Sequence, residues 1–314
     1  MERIAEETRM KYGLMMVLFV AATACGAPKF ELVDGDRVVF IGNTFVERDI
    51  QYNYLETLLT VAWPERNVRF RNMGWSGDTV FVPSRAGSAP NKGFDLLVEY
   101  VKDLKPTVLF VAYGMNESFE GEAGLSRFVD GYGKLLDALA PTKARLILIS
   151  PIAHEDLGRP LPDPEAHNRQ LKMYTEAIGG IAEKRGAAFV NLFGPLSGAK
   201  ENFRGPITEN GIHLNSSGYF LATMEILKQL GVKVDPWRLP INARGEFNDG
   251  KTEDLRRGIG QKNVFFFDRY RPQNDMYIFH GRKHEQGRNA VEIPQFDKFI
   301  EGKETEIAKL RAMK

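Results

Sequence analysis

The chain has 314 residues, of which 43% are hydrophobic and 26% charged. Both fractions sit near the soluble globular average, which excludes a disordered, collagenous or coiled-coil chain and leaves one large domain or two small ones. Lys+Arg is 42 against Asp+Glu 41, a net charge of +1, so the basic excess of a dedicated nucleic-acid binder is missing and no nucleic-acid partner is expected. The single cysteine excludes an intrachain disulfide framework and a cysteine-rich zinc site.

From Gly13 to Ala24 runs an uncharged apolar stretch of about twelve residues, the length of a signal-peptide core and short of the ~20 needed to span a bilayer. The stretch ends Ala22-Thr23-Ala24-Cys25. Ala-x-Ala is a cleavage pattern, and a cysteine directly after it is similar to a weak bacterial lipobox, with Ala22 where Leu is usual. Residues 1–24 are therefore read as a signal peptide. The mature protein is expected to be exported: periplasmic, secreted, or lipid-anchored through Cys25. Lipidation there is the one membrane attachment expected. Cleavage without lipid and a retained buried helix stand as alternatives.

Beyond Arg37 short apolar runs alternate with longer amphipathic stretches. The runs are Val38–Ile41, Val68–Phe70, Val108–Ala112, Leu146–Ile149 and Ala188–Leu192. Helical spacing marks Tyr54–Ala62, Phe94–Leu104, Phe128–Leu139, Glu165–Lys184 and Tyr219–Leu230. Pro64 stops the first of these, and Pro141 follows the third closely. Strands alternating with helices imply parallel βαβ units, and continuous apolar strands fit a sheet covered on both faces. The expected architecture over residues 35–230 is a three-layer α/β/α sandwich of about five parallel strands. Residues 231–314 form a C-terminal extension. In it, Trp237–Gly250 reads as an irregular linker and Thr252–Gly258 as a short helix. The aromatic segment Phe265–Phe279 reads as irregular, and a charged helix follows from Phe296. Its apolar density is too high for a free linker, so Phe265–Phe296 is expected to pack on the core. Its aromatic side chains admit two roles, pins onto the core or a sugar platform.

Sheets of this kind bind ligands at the carboxyl ends of their strands. Four polar clusters fall there: Gly42-Asn43-Thr44, Ser76-Gly77-Asp78, Gly114-Met115-Asn116-Glu117, and Glu209-Asn210-Gly211-Ile212-His213 before the last helix of the sandwich. Their convergence on one edge is the sharpest functional signal of the chain. At these residues the chain resembles the SGNH (GDSL-type) hydrolase superfamily, whose fold is a flavodoxin-like sandwich. The first block reads FIGNTF (Phe40–Phe45), so Asn43 and Thr44 stand where the family has Asp and the nucleophilic Ser. The second reads NMGWSGDT (Asn72–Thr79), with Gly77 at the oxyanion glycine, and the third YGMNES (Tyr113–Ser118), with Asn116 at the oxyanion asparagine. The fourth reads TENGIHLN (Thr208–Asn215): His213 matches the general base, while Asn210 replaces the orienting Asp and Glu209 lies beside it. The RPQN…HEQG tail is similar to extensions on a bacterial subgroup that shares the GNT block.

Elementary chemistry agrees with the resemblance. Acyl transfer needs a nucleophile, a base in hydrogen-bond reach and donors aimed at the oxyanion. Gly77 lets a backbone N–H approach a ligand, and the Asn116 amide offers two hydrogens. His213 is the histidine in a loop opening a helix; His154 and His167 are expected on the loop after the fourth strand, and His280 and His284 in the tail. Two departures stay open. Thr44 is a hindered secondary alcohol, either the nucleophile or, with Asn43, a cap on the following segment. Asn210 can position an imidazole but cannot stabilise an imidazolium, and Glu209 is either its substitute or a surface charge. Asp78, Glu117 and Glu209 could instead form a carboxylate site with His213 for a metal or an activated water. The chain lacks G-x-S-x-G, G-x-G-x-x-G, a Walker loop and His-Glu-x-x-His. What the resemblance implies is a hydrolase of ester bonds, with O-acetyl groups on carbohydrate as a candidate target, small-molecule or carbohydrate ester substrates and no cofactor or metal; the N-terminal run adds export. The alternative is a catalytically impaired sandwich that binds carbohydrate or acyl ligands.

Overall fold

The computed structural model describes residues 30–85, 92–198, 205–235, 239–272, 275–278, 281–285 and 289–312. The signal-peptide reading and Cys25 lie outside these residues, as do Trp237, Phe279 and His280. Five parallel strands make one sheet in the order β2-β1-β3-β4-β5: β1 Arg37–Gly42, β2 Arg69–Asn72, β3 Val108–Ala112, β4 Arg145–Ile149 and β5 Ala188–Val190. This is the flavodoxin-like order, with its topological switch between β1 and β3. Val38 and Phe40 face one layer, where they pack with Phe110, Ile149, Leu58 and Ile226. Val39 and Ile41 face the other, with Val111, Leu148, Leu97 and Tyr132. Burial on both faces is why the strands lack polar alternation.

Helices cover both faces: α1 Thr44–Arg48, α2 Tyr54–Ala62, α3 Gly93–Leu104, α4 Gly121–Leu139, α5 Glu165–Arg185, α6 Phe193–Leu196 and α7 Ser216–Gln229. Two of these, α1 and α6, were not expected as helices. The five-residue α1 occupies what read as a loop, because five residues are too few to show a period. His167 lies in the first turn of α5 rather than on the loop after β4.

The extension departs furthest from the sequence reading. The short helix expected at Thr252–Gly258 is the start of a 21-residue helix, α8 Gly250–Tyr270, which absorbs Phe265, Phe266 and Phe267. Asp249 caps it, accepting from the Thr252 N–H at 2.9 Å. Helix α8 is buried on more than one side because it is sandwiched. One side meets α2 and β2, the other the final helix, α10 Phe296–Ala312; a four-residue α9 at Asp275–Ile278 lies between. The fully buried Lys262 ammonium donates to Glu56 at 2.5 Å and to the Phe70 carbonyl at 3.1 Å, capping the open edge of the sheet. Removing one partner of such a buried pair costs about 3–5 kcal/mol. Glu301 of α10 holds Arg69 of β2 through two bonds of 2.7 and 2.9 Å.

Candidate active site

The first cluster is built by a helix start. Asn43 is the N-cap of α1, and its carboxamide oxygen accepts from the Phe45 N–H at 3.1 Å. Capping is thus the work of Asn43, and the Thr44 hydroxyl is left for other use. Thr44 Oγ1 accepts from the Gly77 N–H at 3.2 Å. Gly77 has φ of 76°, a left-handed conformation, while a Cβ there would meet only Ser84 Oγ at 3.7 Å. Within the protein, backbone conformation is what calls for glycine here. Crowding does rule at Gly74, where a Cβ would lie 2.2 Å from the Glu47 nitrogen. The loop carrying Gly77 therefore sits directly on α1.

Asn116 commits one amide hydrogen to the Asp78 carbonyl at 2.7 Å, tying the third cluster to the second. The acidic neighbours are spoken for separately. Asp78 is buried against Arg85 at 2.9 Å. Glu117 accepts from the Val80 and Gly114 N–H groups at 2.8 and 2.9 Å, and burial pushes its carboxyl up to about 7. Glu209 pairs with Arg48 of α1 at 2.6 Å. The reading in which Asp78, Glu117 and Glu209 join His213 around a metal or water is thereby corrected: each carboxylate answers a different partner. Among the described residues no group of three or more His, Cys, Asp or Glu side chains could hold a metal ion.

The fourth cluster is a tight loop closed by the Thr208–Leu214 bridge and by the Glu209 N–H donating to the His213 carbonyl at 2.8 Å. The Asn210 oxygen accepts from the His213 and Ile212 N–H groups at 2.9 and 3.3 Å. That fixes which way the amide points. Its nitrogen faces His213 Nδ1 at 3.2 Å and donates to it. The imidazole is then held with its proton on Nε2, the opposite tautomer to the one a carboxylate would select. Burial first, then the Arg48 cation, pushes the His213 imidazole below its usual 6.5, against the pull of Glu209. The Glu209 side chain answers Arg48, so the imidazole's Nδ1 partner is Asn210.

Asn43, Thr44, Asn116 and His213 line one pocket at the switch between β1 and β3, with Met115, Ile152 and Tyr219 on its apolar side. Its interior of about 30 Å³ has room for roughly two water molecules. Gly77 joins through its bond to Thr44, and Asn210 through His213; Glu209 stands behind, on Arg48.

Several positioning residues escaped the sequence reading. Glu155, after β4, accepts from the Ile207 and Thr208 N–H groups at 3.0 and 2.8 Å, and its own N–H donates to the Gly211 carbonyl at 2.8 Å. It clamps the loop that carries His213. Beside it His154 Nδ1 lies 3.1 Å from His167 Nδ1, and His167 Nε2 meets Ser118 Oγ at 2.8 Å. Burial, then His154, pushes His167 down to about 4. Glu47 and Arg48, one turn beyond Thr44, reach the second and fourth clusters. Their only sequence signal was adjacency to the GNT block.

Residues 43–221 match the family model described as GDSL-like Lipase/Acylhydrolase. No curated protein matches the chain. Among solved structures, a catalytic mutant of Axe2, an acetylxylan esterase from Geobacillus stearothermophilus, is similar with 19% identity and a TM-score of 0.51, over 65% of this chain and 98% of that one. A gut microbial diltiazem-metabolizing enzyme is similar with 18% identity and a TM-score of 0.52, over 66% of this chain and 49% of that one. At such identities the likeness is one of fold.

Proposed function

The chain belongs to the GDSL-like lipase/acylhydrolase family, and on that premise we propose that it hydrolyses carboxylic esters with short acyl groups. The observation that carries the proposal is the Thr44 hydroxyl, spared from capping and held by the Gly77 N–H in a pocket shared with His213 and Asn116. In this reading Thr44 Oγ1 bonds to the acyl carbon and its proton passes to His213 Nε2. The Gly77 N–H and Asn116 amide receive the oxyanion, and His213 returns the proton to the departing alcohol. Water then cleaves the acyl-threonine by the same route. The narrow pocket favours acetyl over long chains, and O-acetylated carbohydrate is the substrate class proposed, in keeping with export.

The Asn210 amide slows this chemistry. For Nε2 to accept a proton, Nδ1 must carry one, and the amide must give up the Ile212 and His213 N–H bonds to turn its oxygen inward. Leaving such groups unpaired costs about 1–3 kcal/mol, a 5- to 150-fold loss of competent enzyme. The same observation favours a second reading, a sandwich that binds an acyl or carbohydrate ligand without turning it over.

Turnover of p-nitrophenyl acetate and acetylated sugars separates the two. Thr44→Ser, which keeps the hydroxyl and removes the methyl, is expected to preserve or raise activity. Thr44→Ala should lose orders of magnitude, and an acyl adduct on Thr44 should be trappable. A loss of tenfold or less in Thr44→Ala means that water attacks and Thr44 only positions it. His213→Ala should cost roughly 10²–10⁴-fold, as for any positioned acid–base group. Normal turnover in that variant sinks the assignment. Ligand binding by a wild type without turnover selects the second reading.

Export is proposed from the apolar run and Ala-x-Ala before Cys25. Protein from the native host should begin at or within a few residues of Cys25, with lipid mass on the cysteine if it is anchored. Intact mass retaining residues 1–24 refutes it.

A further inference from the structure

The C-terminal extension ends its long helix beside the active-site loop. Tyr270, the last residue of α8, is buried and donates its hydroxyl to the Gly74 carbonyl at 2.9 Å. Arg271 follows. Its guanidinium donates to Glu47 and lies 3.8 Å from the centre of the Trp75 ring. Glu47 in turn accepts from the Ser76 N–H at 2.7 Å and the Ser76 hydroxyl at 2.8 Å. Each residue from Gly74 to Gly77 is thus held: Gly74 by Tyr270, Trp75 by Arg271, Ser76 by Glu47, and Gly77 through its N–H on Thr44. The Trp75 N–H also donates to the Gly42 carbonyl at 3.0 Å, at the end of the strand that delivers Thr44.

We propose that the extension completes the active site, with Arg271 as a positioning residue: through Glu47 and Trp75 it holds the Gly77 N–H at the place where the oxyanion forms. The proposal rests on the reading of Gly77 as an oxyanion donor. Glu47 carries the coupling, because it belongs to the same short helix as Thr44 and binds the loop of Gly77. Without Arg271 its carboxylate loses the cation that orients it, and the indole loses a flat partner. A lysine would restore charge but not the planar stack on Trp75. An extension that served only to cover the edge of the sheet would need Lys262 and α10, not an arginine at the end of α8.

The test uses the full-length chain carrying Arg271→Met and, separately, Arg271→Lys. Three quantities are read: kcat and KM on p-nitrophenyl acetate, melting temperature, and amide hydrogen exchange over residues 74–79. A small displacement of a catalytic group costs ~10²-fold. Arg271→Met is expected to lower kcat by about that factor while KM and melting temperature stay near wild type. Exchange should quicken in 74–79 and not elsewhere. Guanidinium ion at millimolar concentration should restore part of kcat to Arg271→Met, and Arg271→Lys should recover little. Unchanged exchange in 74–79 overturns the proposal, as does a loss of activity that follows a general fall in melting temperature. If the wild type hydrolyses no ester, the proposed function falls on its own, and the exchange of residues 74–79 in Arg271→Met still decides whether the extension braces this loop.

Discussion

Helix α1 stands between two loops and binds both through adjacent residues, yet the two attachments differ. Toward the oxyanion loop, Glu47 meets Ser76 in partly buried surroundings, with Arg271 and the buried Tyr270 closing the contact. Toward the base loop, Arg48 meets Glu209 in an ion pair whose carboxylate is 48% exposed. Exposed pairs of this sort contribute little, typically under about 1 kcal/mol. In the proposed reading the oxyanion side has the Gly77 N–H and the Asn116 amide for donors, whereas the base side holds its imidazole with the proton on Nε2, the less useful tautomer for that role. The half that in this reading would stabilise charge keeps the residue types of the resemblance, Gly77 and Asn116, and the half that would move the proton departs from them at Asn210. Rate should therefore be set by the base loop, while the stability of the site is set by the oxyanion loop and its extension.

The largest break in this asymmetry is Asn210→Asp. A carboxylate can still accept from the Ile212 and His213 N–H groups, and it also accepts from Nδ1–H, releasing Nε2 to take a proton. The reverse change in a Ser-His-Asp triad costs about 10⁴-fold. Asn210→Asp is expected to raise kcat/KM for acetate esters by at least the roughly 5- to 150-fold that the amide costs, with the stability of the protein little altered. An unchanged rate would show that the tautomer is not what limits this site.

A smaller effect sharpens the electrostatic side. His213 is lowered in the fold by burial and then by Arg48. A base whose folded value lies below its unfolded one is neutral above that value, so activity falls as pH drops below it, and the linked stability begins to fall below about 6.5. Arg48→Met removes a lowering charge and frees Glu209, which raises. Both move the acidic limb of the kcat/KM profile toward higher pH, so the ratio of rates at pH 6 to pH 8 should drop. A limb that stays in place would mean that burial alone sets this imidazole.

The strands of the sandwich were legible to within two residues, because burial on both faces writes itself as unbroken apolar runs. The order and spacing of the four clusters was legible too, since each follows directly on a strand or precedes a helix. The extension was not. Phe265, Phe266 and Phe267 show no single apolar face, because Phe266 packs on the sandwich while Phe265 meets Phe296 and Phe299 of α10. A helix packed on two sides loses the period that identifies it. Gly258 and Gly260 inside it weaken the local preference further.

By itself the sequence determined the sheet, the longer helices around it, and the grouping of Asn43, Thr44, Gly77, Asn116, Asn210 and His213 into clusters at strand ends and before a helix. Those features follow from burial and turn chemistry, which act between near neighbours. Only the tertiary structure decided what these residues do to one another. Glu209 pairs with Arg48 across 161 positions of chain, and Glu47 with Arg271 across 224. The Asn210 amide turns its nitrogen to the imidazole because two backbone N–H groups claim its oxygen first. Such choices depend on which donors and acceptors the fold brings within reach together, and no local pattern records that competition.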